Sequence, residues 1–280
     1  PRRGVRTADV TVDASRDLWF RIFVPEAAVR GGGIPVVVFF HGGGFVFLSA
    51  DFKEYDEVCR RYAAEIPAVV VSVNYRLAPE HRYPSPYDDG FDVLAFLDGN
   101  EHVLPENADL SRCFLAGDSS GGNISHHVAK RCCESPKFSR VQATGLVIIQ
   151  PFFGGNEPSE SEKELEKVDV IVSFKRTTWF WKAFLPRSDE EPDMDHESIN
   201  VSGPKAADIS KLDFPATVVV VGGFDSFKDR QRRYYEWLRD SGKEAYLIEY
   251  PQMIHGFYTF PHFNESAQLV DQIRSFINKQ

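Results

Sequence analysis

The chain has 280 residues, 42% of them hydrophobic and 26% charged. That composition excludes global disorder and supplies a core that needs no disulfide or metal staple. Its 32 basic and 41 acidic side chains leave a net charge of −9, which argues against nucleic acid or an anionic membrane as partner, because both select a basic face.

The longest apolar run, Val36–Phe40, has the length of a strand and not of a membrane span. No signal peptide is recognisable, and because the chain opens at Pro1-Arg2-Arg3 without Met, a preceding segment is expected. Cys59, Cys113, Cys132 and Cys133 show neither CxxC nor zinc spacing. They are expected to be reduced thiols of a cytosolic protein, and no metal site is expected.

In chain order, Thr7–Val12 and Leu18–Val24 read as two strands around a turn. Pro35–Phe40 reads as a strand covered on both faces. Asp51–Glu65 carries Tyr55, Val58, Cys59, Tyr62 and Ala63 at helical spacing. Ala68–Val73 is a strand, Tyr87–Leu97 a helix, Arg112–Ala116 a strand, Asn123–Cys132 a helix and Ala143–Ile149 a strand. After an irregular stretch come strand Ala216–Val221, helix Asp229–Arg239, strand Ala245–Tyr250 and helix Ser266–Ile277. Strands alternating with helices predict a single α/β domain with a mostly parallel central sheet and helices on both faces. Residues 152–215 break that rhythm with an acidic run, an aromatic run and a Pro- and Asp-rich run. They are expected to form a helical cap over the carboxyl edge of the sheet.

The sharpest motif is Gly117-Asp118-Ser119-Ser120-Gly121-Gly122, between a predicted strand and a predicted helix. In that context G-x-S-x-G is a nucleophile elbow, which exposes a hydroxyl on a strained turn beside a helix N-terminus. His41-Gly42-Gly43-Gly44 follows the buried strand Pro35–Phe40. Such a loop can bare N–H groups to a developing oxyanion, and the amides of Gly43, Gly44 and Ser120 are the expected donors. His41 is expected to fix the loop and not to act as a base.

A serine needs a base, and the base needs a carboxylate. Of the eight histidines, His255 alone lies just past a late strand, at the edge where catalytic loops of open α/β sheets gather. His126 and His127 sit on the helix after the elbow, and His81, His102 and His196 in loops. Asp225 follows the preceding strand, and its rival Asp229 is expected to start a helix. Asp88 and Asp89 are expected to cap a helix. The order Ser119, Asp225, His255 is that of the α/β-hydrolases. Phe45, Phe47, Phe180 and Tyr258 are expected to line an apolar pocket with Gly42, Asp118 and Thr177 beside it, Asp118 contacting either the loop backbone or the substrate.

His-Gly-Gly-Gly-Phe at 41–45, Gly-Asp-Ser-Ser-Gly-Gly at 117–122 and His255-Gly256-Phe257-Tyr258 resemble the hormone-sensitive-lipase-like branch of the α/β-hydrolases. Val73-Asn74-Tyr75-Arg76-Leu77-Ala78-Pro79-Glu80 and Trp179-Phe180-Trp181-Lys182-Ala183-Phe184 resemble its plant carboxylesterases and the related gibberellin receptor. The resemblance implies a cofactor-free cytosolic or nuclear protein whose N-terminal segment helps to roof the pocket. It implies a serine carboxylesterase acting on small-molecule esters. Its alternatives are a hormone receptor that recruits a partner protein and a dehydratase or cyclase of specialised metabolism. The receptor has lost the catalytic histidine, has Ser in place of Gly44, and has Asp, Arg and Tyr in place of Arg176, Thr177 and Phe180. Some dehydratases have Thr in place of Ser119.

Overall fold

The computed structural model describes residues 2–26, 33–135, 138–168, 171–188 and 191–280. Its centre is an eight-stranded sheet. β1 (Val5–Asp13), β2 (Leu18–Pro25), β3 (Ile34–Phe40), β4 (Val69–Asn74), β5 (Ala108–Asp118), β6 (Ala143–Ile149), β7 (Ala216–Phe224) and β8 (Ala245–Ile254) lie in the order β1-β2-β4-β3-β5-β6-β7-β8. β1 and β2 pair antiparallel, as do β2 and β4, and every other pairing is parallel. The α/β reading therefore holds, with an antiparallel margin at one edge.

Two helical layers explain the unbroken apolar strands. Alternate residues of β3 enter opposite cores: Val36, Val38 and Phe40 one, Val37 and Phe39 the other. The first core is closed by α2 (Ser85–Gly99), α3 (Ser120–Glu134) and α6 (Lys228–Asp240), through Leu94, Val128 and Tyr234 among others. The second is closed by α1 (Lys53–Glu65) and α7 (Asn264–Lys279), through Val58, Tyr62, Leu269 and Ile273. A strand buried on both faces has no polar face to show, so its sequence runs apolar instead of alternating.

The element boundaries that differ have local causes. β5 begins at Ala108, where Ile34 pairs with Ala108 before an irregularity at Pro35/Val36. β8 runs on through Pro251 to Ile254 past an irregularity opposite Gly222/Phe224. α3 starts directly at Ser120, before the expected Asn123, because the turn at Ser119 leads straight into the helix. Among the described residues the four cysteines are free.

Between β6 and β7 lie α4 (Glu160–Leu165) and α5 (Phe174–Phe184). The acidic run has a structural use here. Ser159 and Glu162 form a reciprocal capping box at the start of α4. Glu162 also pairs with Arg230 of α6 at 2.7 Å, with both side chains buried. Ser161 donates its hydroxyl to the Ser226 carbonyl and its N–H to Asp229. α5 turns Thr177, Trp181 and Phe184 inward and leaves Trp179 exposed.

Candidate active site

The ends of four strands, β3, β5, β7 and β8, converge on one cavity. β5 ends at Asp118, and the chain turns through Ser119 at φ 51°, ψ −120° straight into α3. A non-glycine residue rarely occupies that region, and holding it there costs about 1–3 kcal/mol. The turn is enforced by close packing: a Cβ on Gly121 would lie 1.9 Å from the Phe40 carbonyl oxygen. Only glycine lets α3 pass so near the end of β3. Ser119 makes no side-chain cap hydrogen bond, so its hydroxyl is not spent on the helix it precedes.

After β3, His41 is fully buried with its ring stacked on Tyr75 at 4.3 Å. Its Nδ1–H donates to the Gly42 carbonyl at 2.7 Å, and burial lowers its pKa to about 4. It is a neutral loop-fixing group, as expected. Gly43, at φ 109°, and Gly44, at φ 58°, turn the chain after β3, and Gly44 lies close against the Phe180 ring. Gly43, Gly44 and Ser119 all line the cavity. Ser120 is the first residue of α3, where the N–H groups have no helical acceptor.

β7 delivers Asp225, which is fully buried. Its Oδ2 accepts hydrogen bonds from His255 Nδ1 at 2.8 Å, Gln231 Nε2 at 2.9 Å and Gln150 Nε2 at 3.0 Å. Its Oδ1 accepts the Phe227 N–H at 2.9 Å. β8 delivers His255 as the first residue beyond its end. The imidazole meets Phe227 edge to face at 5.6 Å and faces the same cavity as Ser119. In a histidine that donates Nδ1–H to a carboxylate, Nε2 is the nitrogen that can serve as a base.

The cavity holds about 420 Å³, within the range of about 300–1,000 Å³ usual for small-molecule sites. Phe47, Phe152, Val172, Phe180, Phe227 and Phe260 give it an apolar wall, with Thr177 and Tyr258 between them and Asp118 at the base. Arg176 stands at its rim. Two expectations are corrected. Phe45 is not on the wall: at φ 66° its ring turns inward and stacks on Phe184 at 3.9 Å, fully buried. Gly42 is also behind the cavity, with its N–H donating to the Tyr55 hydroxyl at 2.8 Å.

The remaining candidates lie elsewhere. His126 bonds the Tyr234 hydroxyl at 2.9 Å, and His127 stacks on Tyr87 at 4.5 Å. Asp89 pairs with Arg76 at 2.8 Å and Asp88 with Arg131 at 2.6 Å. Asp229 sits in the first turn of α6. Among the described residues no cluster of His, Cys, Asp or Glu could hold a metal, and no helix is long and apolar enough to cross a membrane.

Sequence reasoning missed Gln150. It follows β6 at φ 43° and is buried. Its Nε2 donates to Asp225 and to the Ile254 carbonyl at 3.1 Å, and its Oε1 accepts the Gly256 N–H at 2.8 Å. One amide thus ties the acid to both flanks of His255. A polar residue directly after the apolar run Leu146–Ile149 was the available signal.

The comparisons with known proteins agree with this architecture. The profile of the alpha/beta hydrolase fold family matches residues 37–259. Gibberellin receptor GID1C of Arabidopsis thaliana is 40% identical over 292 residues, which span 100% of this chain and 83% of the receptor. Carboxylesterase 20 of the same plant is 34% identical over 254 residues, 88% of this chain and 77% of that protein. Among solved structures, the hyperthermophilic esterase of Pyrobaculum calidifontis superposes with a TM-score of 0.83 at 30% identity, covering 98% of this chain and 85% of that one. The thermophilic carboxylesterase EstE1 from a metagenomic library gives 0.84 at 29%, covering 98% and 88%. A strand-to-helix serine turn, a glycine loop after β3 and a sheet of this order come together in one lineage: the chain belongs to the α/β-hydrolase fold family, in the hormone-sensitive-lipase-like branch that its motifs resemble.

Proposed function

We propose that the protein is a serine carboxylesterase acting on small or medium carboxylic esters. The observation that carries this reading is the His255–Asp225 hydrogen bond, 2.8 Å long, beside a cavity that also receives Ser119 at its strained turn. Ser119 Oγ attacks the ester carbonyl carbon while His255 Nε2 takes its proton. Asp225 fixes the Nδ1–H tautomer and stabilises the imidazolium as it forms. The N–H groups of Gly43, Gly44 and Ser120 hold the oxyanion, each worth about 2.7–4 kcal/mol of barrier. Collapse of the tetrahedral adduct breaks the ester C–O bond, and His255 returns the proton to the departing alcohol. Water repeats the sequence on the acyl-enzyme and restores Ser119.

The test is direct. A fluorophosphonate is expected to add one phosphonyl group, on Ser119, by mass spectrometry, and the labelled chain is expected to stop hydrolysing p-nitrophenyl acetate. A chain that neither labels nor hydrolyses overturns the reading. A hormone-receptor reading has support from the 40% identity to the gibberellin receptor GID1C. It predicts tight, saturable binding of a gibberellin with no turnover of any ester. Localisation to cytoplasm or nucleus belongs to the same proposal.

Gln150 has a predicted share in this chemistry. Gln150→Ala removes one donor from Asp225 and both ties to the His255 loop. Each lost buried hydrogen bond leaves a partner unsatisfied, at about 1–3 kcal/mol. The expected result is a fall in kcat of about 10- to 100-fold with KM little changed, read from steady-state ester hydrolysis. A fall confined to KM would place Gln150 outside the acid–base pair.

A further inference from the structure

Asp118 is the residue before Ser119, and its side chain lies against the glycine loop at Gly42. It is 5% exposed. Its Oδ2 accepts a hydrogen bond from the Tyr55 hydroxyl at 2.9 Å, and that same phenol oxygen accepts the Gly42 N–H at 2.8 Å. Tyr55 comes from α1, and its ring packs between Phe39 at 6.1 Å and His41 at 5.6 Å. The fit has no slack, because a Cβ on Gly42 would lie 2.5 Å from Asp118 Oδ2 and 2.7 Å from the Tyr55 oxygen.

The second carboxylate oxygen, Oδ1, is buried and accepts no hydrogen bond among the described residues. Tyr258 approaches this carboxylate without completing a hydrogen bond of full geometry. Burial raises the Asp118 pKa to about 6, against the lowering effect of Tyr258, Tyr55 and His255. A buried carboxylate with half its acceptor capacity unused is costly to the fold. Its well-made contact is the one that fixes a phenol, which in turn fixes a backbone N–H of the loop.

We propose that Asp118 and Tyr55 are positioning residues for the oxyanion amides, the chain Asp118–Tyr55–Gly42 holding the His41–Phe45 loop in register with the elbow. This inference rests on the esterase reading. The three oxyanion donors come from two separate segments, the loop after β3 and the first turn of α3. Their stabilising effect depends on all three pointing at one oxygen at about 2.7–3.1 Å before reaction starts. Asp118 is covalently next to Ser119, so the relay ties the loop to the strand end that carries the nucleophile. A looser loop would still admit substrate, and would fail only when negative charge develops.

The experiment measures kcat and KM for p-nitrophenyl acetate in wild type, Tyr55→Phe, Asp118→Asn, Asp118→Ala and the double variant Asp118→Ala/Tyr55→Phe. Each kcat is divided by the number of sites that fluorophosphonate labels at completion, which removes any unfolded fraction. Tyr55→Phe and Asp118→Ala are expected to lose about 10- to 100-fold in kcat with KM within threefold of wild type. Asp118→Asn, which keeps an acceptor oxygen, recovers part of that loss. The double variant falls no more than about threefold below the worse single variant, because both substitutions break one relay. A Tyr55→Phe chain with wild-type kcat per labelled site overturns the proposal, and so does a double variant whose loss is the product of the two single losses. A wild-type chain that takes no label overturns the esterase reading itself. A labelled wild type with unaffected relay variants overturns the positioning role alone.

Discussion

Ser119→Ala is expected to lower ester turnover by about 10⁴-fold or more while leaving the fold intact. Removing a nucleophile from such a constellation leaves only what binding and the oxyanion amides still supply, a residual of about 10³–10⁴ over water. The structure gives reasons to expect that stability survives. The Ser119 hydroxyl caps no helix, and alanine can follow serine into the same strained turn, since the strain is in φ and not in the side chain. The glycines that permit the turn are untouched. Circular dichroism and thermal unfolding should therefore match wild type within a few degrees, while p-nitrophenyl acetate hydrolysis falls to near background and fluorophosphonate labelling disappears. Turnover persisting within tenfold of wild type would show that another group attacks the ester, and would remove the assignment of Ser119.

Much of this was legible in the sequence because the strongest signals are local. A strand buried on both faces has to be apolar throughout, so Pro35–Phe40 and Ala143–Ile149 announce their place. The elbow is legible because a Cβ on Gly121 would lie 1.9 Å from the Phe40 carbonyl oxygen, which leaves glycine without an alternative there. The pairing of His255 with Asp225, 30 positions apart, is legible from the Ser, Asp, His chain order together with their places after parallel neighbouring strands that end at the same edge. What could not be read depends on orientation or on distant elements. Phe45 and Phe47 are two residues apart and equally apolar, and only the turn at φ 66° decides that the first enters the core. Tyr55 looked like one more apolar position on a helix, because its hydroxyl's partners stand 13 and 63 residues away. The acidic run was legible only as a break in the α/β rhythm, and the burial of Glu162 against Arg230, 68 residues on, could not be read from it.

Acid is expected to unfold the protein well above the range in which carboxylates alone would do so. His41, His126 and His127 are all held neutral by burial, with the pKa of His41 lowered to about 4, that of His126 to about 3 and that of His127 well below its ordinary value. In the unfolded chain each would titrate near pH 6.5. Their folded-state pKa values are depressed, so the stability they confer is fully present above about pH 6.5 and is lost as pH falls toward about 4. Each histidine protonated only in the unfolded state costs about 1.4 kcal/mol per pH unit. Asp118 works in the opposite direction. Its pKa is raised to about 6 by burial, so between about pH 6 and 4 the folded state takes up a proton that the unfolded state does not. Three histidines against one carboxylate leave about two protons, or about 2.7 kcal/mol per pH unit below pH 6. A domain with the usual 5–15 kcal/mol cannot lose that for long. Surface carboxylates with lowered pKa, such as Asp13 and Asp98 at about 2, add their loss only below about pH 4. Urea unfolding at successive pH values should show the free energy near its plateau from pH 7 to 8 and falling steeply from pH 6 to 5. His126→Gln, which cannot titrate, should reduce that slope by about one proton. A free energy that stays level between pH 7 and 5 would mean that these imidazoles find protonated, hydrated states within the fold, and would contradict the dry packing around Tyr75, Tyr87 and Tyr234.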